Sequence, residues 1–278
     1  MNFLFWNIKK NTTDRFLECV VQLLIENEID VLMIAELPEE NISAFEQYIQ
    51  MHTKNKYRLI NGFVFKKVVI FATDKTEIGS FDETGKRIGA FKIKSSVLEK
   101  DILLFPIHYY DKKNTKEDEQ DERIRKIRNF IETVENRNGE KNLSIICGDF
   151  NLNPFEKPMI KATGMHAMMD KNIAQKGKRI VDGDEYTYFY NPMWGFFGDM
   201  GKGEVSGSYY YPNSGNHIVM FWHIFDQLLL RKGLISYLNA DKLNIVTRIN
   251  GHCFLKEDGS INANVFSDHL PITFSLNI

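Results

Sequence analysis

The chain alternates short, mainly apolar runs with amphipathic segments. Residues 3–8 form a short β-prone run, interrupted only by Asn7, and residues 31–35 form an unbroken apolar run of strand length. Between them, apolar residues recur at helical spacing, at positions 16, 17, 20, 21, 24 and 25, after a threonine or aspartate at 12–14 that suits a helix N-cap. Unbroken apolar runs are typical of strands buried on both faces. The pattern therefore predicts a strand, a one-faced helix and a second buried strand.

Similar patterns continue along the chain. Strands are predicted over 68–72, 88–93, 102–107 and 143–147, and a final strand follows residue 271 and runs to 278. Residues 112–122 are almost entirely charged or polar and predict a solvated loop before an amphipathic helix with apolar positions 124, 127, 130, 131 and 134. Residues 191–216 hold six glycines among several aromatic residues and predict a mobile surface loop inserted into the fold. No repeat or linker divides the chain, so we expect one domain over residues 1–278.

The composition is that of a globular domain. Hydrophobic residues make up 43% and charged residues 26% of the chain, which excludes collagen-like and wholly disordered classes. The net charge of −2 provides no global positive field, so any contact with nucleic acid must be local. Three widely spaced cysteines favour a reducing compartment, and no apolar run reaches membrane-spanning length. We therefore expect a cytoplasmic protein without a membrane span.

Polar side chains stand where the apolar runs end. Glu36, His108 and Asp149 each directly follow such a run or come within two residues of it, Asp226 interrupts another, and His269 precedes the last strand. Taken singly, each has a structural explanation, such as a turn, an ion pair or a capped loop. Together, hard oxygen donors and an imidazole favour Mg²⁺ or Mn²⁺ over zinc or copper, and such cations point first to phosphate chemistry.

Six motifs set these residues in a recognisable order. They are FWN at 5–7, IAEL at 34–37, PIHYY at 106–110, CGDFN at 147–151, FDQLLL at 225–230 and SDHLPI at 267–272. In this order the chain resembles the endonuclease/exonuclease/phosphatase superfamily, which includes deoxyribonuclease-I-like enzymes. The resemblance covers nearly the whole chain. It implies a four-layered α/β sandwich, in which two packed mixed β-sheets are flanked by helices and the site lies where strand ends of both sheets meet.

The resemblance also implies a metal site. Glu36 would be the direct ligand of the catalytic Mg²⁺ or Mn²⁺, and Asn7 would contact the metal or a bound water. Asp268 would add a second acidic ligand. Asp149 would lie at the metal as well as at the attacking water.

The catalytic roles follow from the same resemblance. Asp149 and Asn151 would place and activate the attacking water and hold the scissile phosphate. His269 would face the reacting phosphorus and be oriented by Asp226, and His108 would contact the phosphate or the leaving oxygen. A carboxylate beside one imidazole nitrogen fixes the tautomer and raises its basicity. Whether Asp149 or His269 takes the proton of the water stays open, because coupled groups titrate as a set.

Two positions depart from the family pattern. Tyr109 replaces the common hydrophobic residue after the first histidine, and Gln227 stands where many members have His or Tyr. We expect both at the edge of the site, where they bear on the substrate class. The acid that pairs with the first histidine in the nuclease branch has no clear counterpart here, and Glu77 and Glu83 are the candidates.

Three functions remain open. The leading one is a nuclease that cleaves DNA or RNA, with substrate contacts from Tyr109, Arg123, Tyr188 and Trp194, supported by a basic cluster at 123–128 and tyrosines at 186–190 and 209–211. The alternative interpretation of these groups is a solvated helix face and the internal packing of a loop. The second function is a phosphatase or phosphodiesterase acting on a small-molecule or lipid headgroup phosphate. The third is a catalytically silent binding scaffold.

Overall fold

Two large mixed β-sheets form the framework of the computed structural model, which describes residues 1–60, 65–111, 117–212, 215, 217 and 219–278. The strands are β1 (Asn2–Asn7), β2 (Val31–Ala35), β3 (Tyr57–Leu59), β4 (Val68–Thr73), β5 (Ile78–Asp82), β6 (Ala90–Ser95), β7 (Lys100–His108), β8 (Ser144–Asp149), β9 (Ala167–Met168), β10 (Lys178–Val181), β11 (Asp184–Thr187), β12 (Phe189–Tyr190), β13 (Tyr209–Tyr210), β14 (Trp222–His223), β15 (Asp226–Leu230), β16 (Leu238–Ile245), β17 (Arg248–Ile249), β18 (His252–Cys253) and β19 (Ile272–Leu276). The α-helices are α1 (Asp14–Glu26), α2 (Ile42–His52), α3 (Glu117–Asn138), α4 (Lys157–Ile160) and α5 (Lys171–Gln175). Short 3-10 helices cover Glu39–Asn41, Pro192–Phe196 and Lys232–Tyr237.

The first sheet has six strands in the order β16-β19-β1-β2-β4-β3. The unit β1-α1-β2 is a parallel crossover, and β2 lies at the centre of the sheet with all five residues buried. This burial explains its unbroken apolar sequence. Helix α1 buries Phe16, Val20 and Leu24 of the predicted apolar face, whereas Ile25 at its C-terminal end is exposed.

The second sheet has seven strands in the order β5-β6-β7-β8-β15-β12-β9. Strands β7 and β8 are parallel and are connected through α3, whereas β15 pairs antiparallel with β8. Helix α3 covers the outer face of this sheet with Ile124, Ile127, Ile131 and Val134. One apolar core lies between the two sheets and a second lies under α3. The four-layered sandwich of two mixed sheets flanked by helices is therefore confirmed.

Gly148 shows how closely the central strands pack. Its φ is +150°, and a Cβ atom there would come within 1.9 Å of the Ile107 carbonyl oxygen. Only glycine lets β8 approach β7 at this point. The strand predicted to end at Cys147 therefore continues through Gly148 to Asp149.

Several predicted boundaries are wrong. Residues 117–122 belong to α3 and not to the predicted solvated loop, whose first residues 112–116 lie outside the described residues. The strand predicted over 88–93 is Ala90–Ser95, with Ile88 forming only an isolated bridge. The final strand ends at Leu276.

The segment 191–216 is not simply a surface loop. It contains a 3-10 helix and β13, and Met193, Phe196 and Val205 are buried in the core between the sheets. Burial of apolar side chains outweighs the glycine content here. Positions 213, 214 and 216 lie outside the described residues. Nowhere in the described ranges does a helix have the length and apolar character needed to cross a membrane.

Candidate active site

The strand registers bring the polar strand ends to one edge of both sheets. In the first sheet Asn7 pairs with Ala35, so Glu36 follows at the same end. In the second sheet Asp149 pairs with His108 on one side and with Asp226 on the other. Because β1, β2, β7 and β8 all run toward this edge and β15 starts from it, residues far apart in the chain become neighbours.

The last motif is tied to the first strand by two hydrogen bonds and is held together by a third within the motif. Ser267 Oγ donates to the Asn7 carbonyl oxygen at 2.7 Å and accepts from the His269 backbone N–H at 3.2 Å. Trp6 Nε1 donates to the His269 carbonyl oxygen at 2.9 Å. These bonds fix the backbone of His269 directly beside the end of β1.

Asp149 lies at the centre of the cluster and is almost fully buried. Its carboxylate accepts from Asn7 Nδ2 at 3.1 Å and from the Asn151 backbone N–H at 2.7 Å. His108 Nε2 and His269 Nε2 lie 3.8 and 3.9 Å from its Oδ2 atom. Burial raises the pKa of Asp149 above its usual value, and this effect outweighs the opposing influence of the two imidazoles.

His269 and Asp226 form a buried dyad. His269 Nδ1 lies 2.9 Å from Asp226 Oδ2 and 3.1 Å from Oδ1. Burial disfavours the charged imidazole, but the carboxylates of Asp226 and Asp149 together outweigh it and raise the pKa of His269 to about 10. The imidazole is therefore cationic at neutral pH.

Residues 208 and 209 support this dyad from the segment predicted to be a surface loop. Ser208 Oγ accepts from the Asp226 backbone N–H at 3.1 Å, and the Ser208 carbonyl oxygen accepts from the Leu270 N–H at 2.7 Å. The Tyr209 ring lies 4.7 Å from the His269 ring. One short segment thus holds both members of the dyad.

Glu36 is the most accessible carboxylate beside Asp149, with 32% of its side chain exposed. Its φ of +59° is a left-handed conformation that is uncommon for a residue other than glycine. Its Oε1 atom lies 3.5 Å from His108 Nε2.

Burial lowers the pKa of His108 despite the nearby Asp149, so this imidazole is neutral at neutral pH. Among the described residues, the buried Nδ1 atom of His108 has no hydrogen-bond partner.

Asp268 lies at the mouth of the site with a cationic partner. Lys9 Nζ is 2.7 Å from Asp268 Oδ2. An ammonium at this distance competes with a metal ion for the same carboxylate. The arrangement favours Glu36 and Asp149 over Asp268 as ligands.

The donor set fits a hard divalent cation. Glu36 and Asp149 both approach His108 Nε2, and the Asn7 amide reaches Asp149, so carboxylate and amide groups surround one region. No cysteine lines the cleft within the part of the chain that the structure describes. Asp149, Asp226 and His269 also offer ligand atoms within 4.8 Å of one another. However, His269 Nδ1 and Asp226 already satisfy each other, so we assign Asp226 to orienting the imidazole.

A cleft of about 860 Å³ opens over these groups. One wall is aromatic: Tyr209 stacks on Phe225 with ring centres 5.1 Å apart, and Phe155, Tyr211 and His223 also line the cleft. The cleft is also lined by Arg87, which lies beside His108. The cleft therefore combines a polar centre with an apolar wall, which suits a phosphoester with a planar or apolar substituent.

The sequence-predicted residues fall into two groups. The cleft brings together Asn7, Glu36, His108, Tyr109, Asp149, Asn151, Asp268 and His269, with Asp226 directly behind His269. Asn151 Nδ2 donates to the Tyr109 carbonyl oxygen at 3.2 Å, which places Tyr109 at the site through its backbone. The Tyr109 ring is buried, and its hydroxyl donates to the Gln120 carbonyl oxygen.

Three proposed substrate contacts do not line the cleft. Arg123 pairs with Glu119 and lies over Tyr110 next to the rim. Tyr188 packs against His166 in the core, and Trp194 packs against Phe197. The positions of Tyr188 and Trp194 favour the alternative interpretation that these rings serve the packing of their own segment.

The remaining basic residues near Arg123 do not form a binding surface at the cleft. Arg125 and Lys126 are exposed beside Glu122, as on a solvated helix face. Arg128 is buried and donates to the carbonyl oxygens of Met165 and Thr187.

The expectations for Gln227, Glu77 and Glu83 are wrong. Gln227 is fully buried and bonds to Asn191 and to the Leu152 carbonyl oxygen, so it supports the core and not the edge of the site. Glu77 pairs with Lys94, and Glu83 accepts from the Phe65 N–H and from Ser80. Neither carboxylate contacts His108.

Sequence reasoning missed Lys9, Arg87, Asn153 and His223, which also line the cleft. Asn153 Oδ1 accepts from the Ile224 N–H at 3.0 Å, and its Nδ2 lies 3.0 Å from His223 Nδ1. The position of Asn153, two residues after Asn151, was a usable signal. Arg87 gave no comparable signal, because it lies in a polar stretch between predicted strands.

Comparison with known proteins shows a shared fold at low identity. No protein-family model matches the chain, and no curated protein matches it. An endonuclease/exonuclease/phosphatase family protein from Leptotrichia buccalis C-1013-b has a TM-score of 0.58 and 15% identity, covering all of both chains.

Two further solved structures resemble this chain over the full length of both proteins. The 3′ phosphatase NExo from Neisseria, bound to product DNA hairpin, has a TM-score of 0.54 and 14% identity. The mannosyl-6-phosphatase of Bacteroides thetaiotaomicron VPI-5482 has a TM-score of 0.55 and 14% identity. Among the similar structures, therefore, one fold serves both nucleic-acid and sugar phosphates.

Proposed function

We propose that this chain, which has the fold of the endonuclease/exonuclease/phosphatase superfamily, is a divalent-metal-dependent phosphoesterase, and that its leading substrate is a phosphodiester of DNA or RNA. The observation that carries the proposal is the convergence of Glu36, Asp149 and the His269–Asp226 dyad on one cleft. Buried carboxylates and imidazoles without complete pairing are strongly disfavoured unless a site requires them.

Glu36, Asn7 and Asp149 would hold the Mg²⁺ or Mn²⁺ ion. When bound, such an ion supplies Lewis-acid stabilisation of negative charge on phosphoryl oxygens. The fit rests on the oxygen-rich donor set and on the exposure of Glu36 to the cleft.

Asp149, His269 and His108 would have separate roles in proton transfer and charge stabilisation. Asp149, whose carboxylate Asn7 and Asn151 hold in place, would accept the proton of an attacking water. The cationic His269 faces Asp149 through Nε2 and stabilises the charge that develops on the phosphoryl group. Asp226 keeps the imidazole oriented and charged. The neutral His108 donates a hydrogen bond at the leaving oxygen.

The aromatic wall favours a nucleic-acid substrate. Unstacked bases rest on aromatic faces, and Tyr209, Tyr211 and Phe155 offer such faces within the cleft. A second candidate, a phosphatase of a small-molecule phosphate, is favoured by the scarcity of lysine and arginine. Only Lys9 and Arg87 line the cleft among the described residues, and strand binding normally uses more phosphate contacts.

Purified protein assayed on bis(p-nitrophenyl) phosphate, oligonucleotides and sugar phosphates tests the proposal. We expect turnover with Mg²⁺ or Mn²⁺ that stops on chelation and is lost in Glu36→Ala, Asp149→Ala and His269→Ala, each with an unchanged circular dichroism spectrum. Cleavage of oligonucleotides identifies the nuclease, and turnover of sugar phosphates alone identifies the second candidate. Metal-independent turnover, or retained activity in Asp149→Ala, would overturn the assignment.

A further inference from the structure

Arg87 is the one lysine or arginine of the cleft, among the described residues, whose charge no carboxylate compensates. The other, Lys9, is bound to Asp268 at 2.7 Å. Arg87 is half-buried and lines the cleft. Its guanidinium forms no ion pair or hydrogen bond with the described residues. An uncompensated cation beside a catalytic centre is a ready site for an anion.

The backbone holds Arg87 at a fixed distance from the centre. Its carbonyl oxygen accepts from the His108 N–H at 3.0 Å, and the next residue, Ile88, bridges to Ile107. The Gly89 N–H donates to the Pro106 carbonyl oxygen at 3.2 Å. The segment therefore runs along the end of β7, and Arg87 lies directly beside His108 at the edge of the sheet.

An aromatic ring holds the side chain. The guanidinium carbon of Arg87 lies 4.2 Å from the centre of the Tyr110 ring, and that of Arg123 lies at the same distance from the same ring. A guanidinium stacked on a ring keeps its N–H donors in the plane free for a ligand. Arg123 also pairs with Glu119, so the uncompensated charge of this pair resides on Arg87.

We infer that Arg87, held by Tyr110, binds a second phosphate group of the substrate, next to the scissile phosphate on the His108 side of the cleft. This inference rests on the proposed phosphoesterase function and narrows its substrate class to phosphoesters with two phosphate groups. A guanidinium fork matches the oxygens of a phosphate in a bidentate manner. The second phosphate belongs either to the neighbouring nucleotide of a strand or to a bisphosphorylated small molecule.

Paired substrates that differ by one phosphate test the inference. For the nucleotide source the pair is thymidine 5′-(p-nitrophenyl phosphate) with and without a 3′-phosphate. For the small-molecule source the pair is fructose 1,6-bisphosphate and fructose 6-phosphate. We expect the wild type to prefer the doubly phosphorylated member of one pair, which identifies the source. In Arg87→Ala we expect the ratio of the two kcat/KM values to fall by about 10- to 100-fold.

Companion variants separate binding from packing. Arg87→Lys keeps the charge without the fork, and Tyr110→Leu removes the ring, so both should lower the ratio less than Arg87→Ala does. Arg125→Ala, an exposed arginine paired with Glu122 outside the cleft, should leave the ratio at the wild-type value. A purely structural role for Arg87 would lower the melting temperature and leave the ratio unchanged, which would overturn the inference.

Equilibrium binding keeps the test independent of turnover. Titration calorimetry with thymidine 3′,5′-bisphosphate and thymidine 5′-phosphate, and with the two fructose phosphates, reports the same preference. If the protein turns over none of the phosphoesters, the proposed function is refuted. A binding preference for the doubly phosphorylated compound that Arg87→Ala abolishes would still support the role of Arg87. Equal affinity for both members of each pair in the wild type would refute that role.

Discussion

Two buried polar clusters lie at opposite ends of the same two strands, β8 and β15. At one end, Asp149 and Asp226 pair across the strands, and together with His269 and His108 we call them the catalytic cluster, after their proposed role. At the other end, Ser144 and Arg231 meet Glu135 of α3, and we call these three residues the Arg231 cluster. The strands are common to both, so the difference lies in how the charges are paired.

The Arg231 cluster is fully paired. Arg231 Nε and Nη2 donate to the two Glu135 oxygens, each at 2.8 Å, and Ser144 Oγ donates to Glu135 Oε1 at 2.7 Å. Arg231 Nη1 donates to Thr187 Oγ1, and the guanidinium lies 3.7 Å from the centre of the Phe189 ring. None of its buried side-chain N or O atoms lacks a partner within the described residues.

The catalytic cluster is incompletely paired. Burial raises the pKa of Asp149 while lowering that of His108, and the Nδ1 atom of His108 has no partner among the described residues. A fully satisfied polar network rigidifies a fold, whereas frustrated charges with shifted pKa values are typical of reactive sites. The comparison predicts that mutations in the catalytic cluster mainly lower activity, whereas mutations in the Arg231 cluster mainly lower stability.

The largest expected effect is on catalysis. Asp149→Asn keeps the shape of the side chain and removes the proton acceptor, so we expect kcat to fall by about a thousandfold. The melting temperature should change by less than about 4 °C, because a frustrated charge is removed. Steady-state kinetics and a thermal melt check this. A large loss of stability with retained kcat would contradict the assignment of this cluster to activity.

Arg231→Met should reverse this pattern. It leaves Glu135, with a side chain 2% exposed, buried without its partner, and we expect a loss of about 3–5 kcal/mol in unfolding free energy. Urea denaturation measures the loss, and kcat of the folded protein should stay within about twofold of wild type.

A surface arginine provides the control for this prediction. Arg125→Met removes an exposed arginine paired with the exposed Glu122 and should change the unfolding free energy by less than about 1 kcal/mol. Equal losses in the two variants would contradict the contrast between buried and exposed pairs.

Asp226→Asn tests the orienting role within the catalytic cluster. We expect kcat to fall by about 10- to 100-fold, as for other residues that orient a catalytic group. Burial opposes the charged imidazole, but the carboxylates of Asp226 and Asp149 outweigh it and raise the pKa of His269 to about 10, so in the wild type we expect protonation to persist through pH 8. In the variant, NMR titration of His269 should show deprotonation at lower pH. An unchanged titration would mean that Asp226 acts only through packing.

The smallest expected effect concerns His166, a buried neutral imidazole near the Arg231 cluster. Its Nδ1 donates to the Thr187 carbonyl oxygen, and its Nε2 accepts from Arg179 Nε. Burial lowers its pKa from 6.5 to about 4. The unfolded chain therefore binds a proton first as the pH falls, so stability should decline between about pH 6.5 and pH 4.

His166→Asn should reduce this decline, and asparagine tolerates the positive φ of +52° at this position. Denaturation midpoints at pH 7 and pH 5 measure the effect. His52→Asn, at the exposed end of α2, is the control and should decline like the wild type. An equal decline in all three proteins would remove His166 as the cause.

Much of the fold followed from local pattern. The runs at 31–35 and 68–72 and the face of α1 were predictable, because an element buried on both faces or on one face imposes its own period on the sequence. The segment 191–216 was mispredicted, because glycine content describes backbone freedom and not which side chains become buried. Its residues Ser208 and Tyr209 support the dyad through contacts with Asp226 and His269 that no local pattern signals.

The sequence by itself determined which residues stand at the ends of buried strands, since apolar runs and the polar groups that end them are local features. The tertiary structure decided which of these residues meet, because strand register sets distances between positions as far apart as Trp6 and His269. It also decided which charges are compensated. Lys9, Arg87 and Arg128 have the same formal charge in the sequence, yet Lys9 is bound to Asp268, Arg87 faces the cleft without a carboxylate partner among the described residues, and Arg128 is buried with Glu132 and backbone carbonyl oxygens as its acceptors. Charge compensation depends on neighbours in space, which sequence position does not specify.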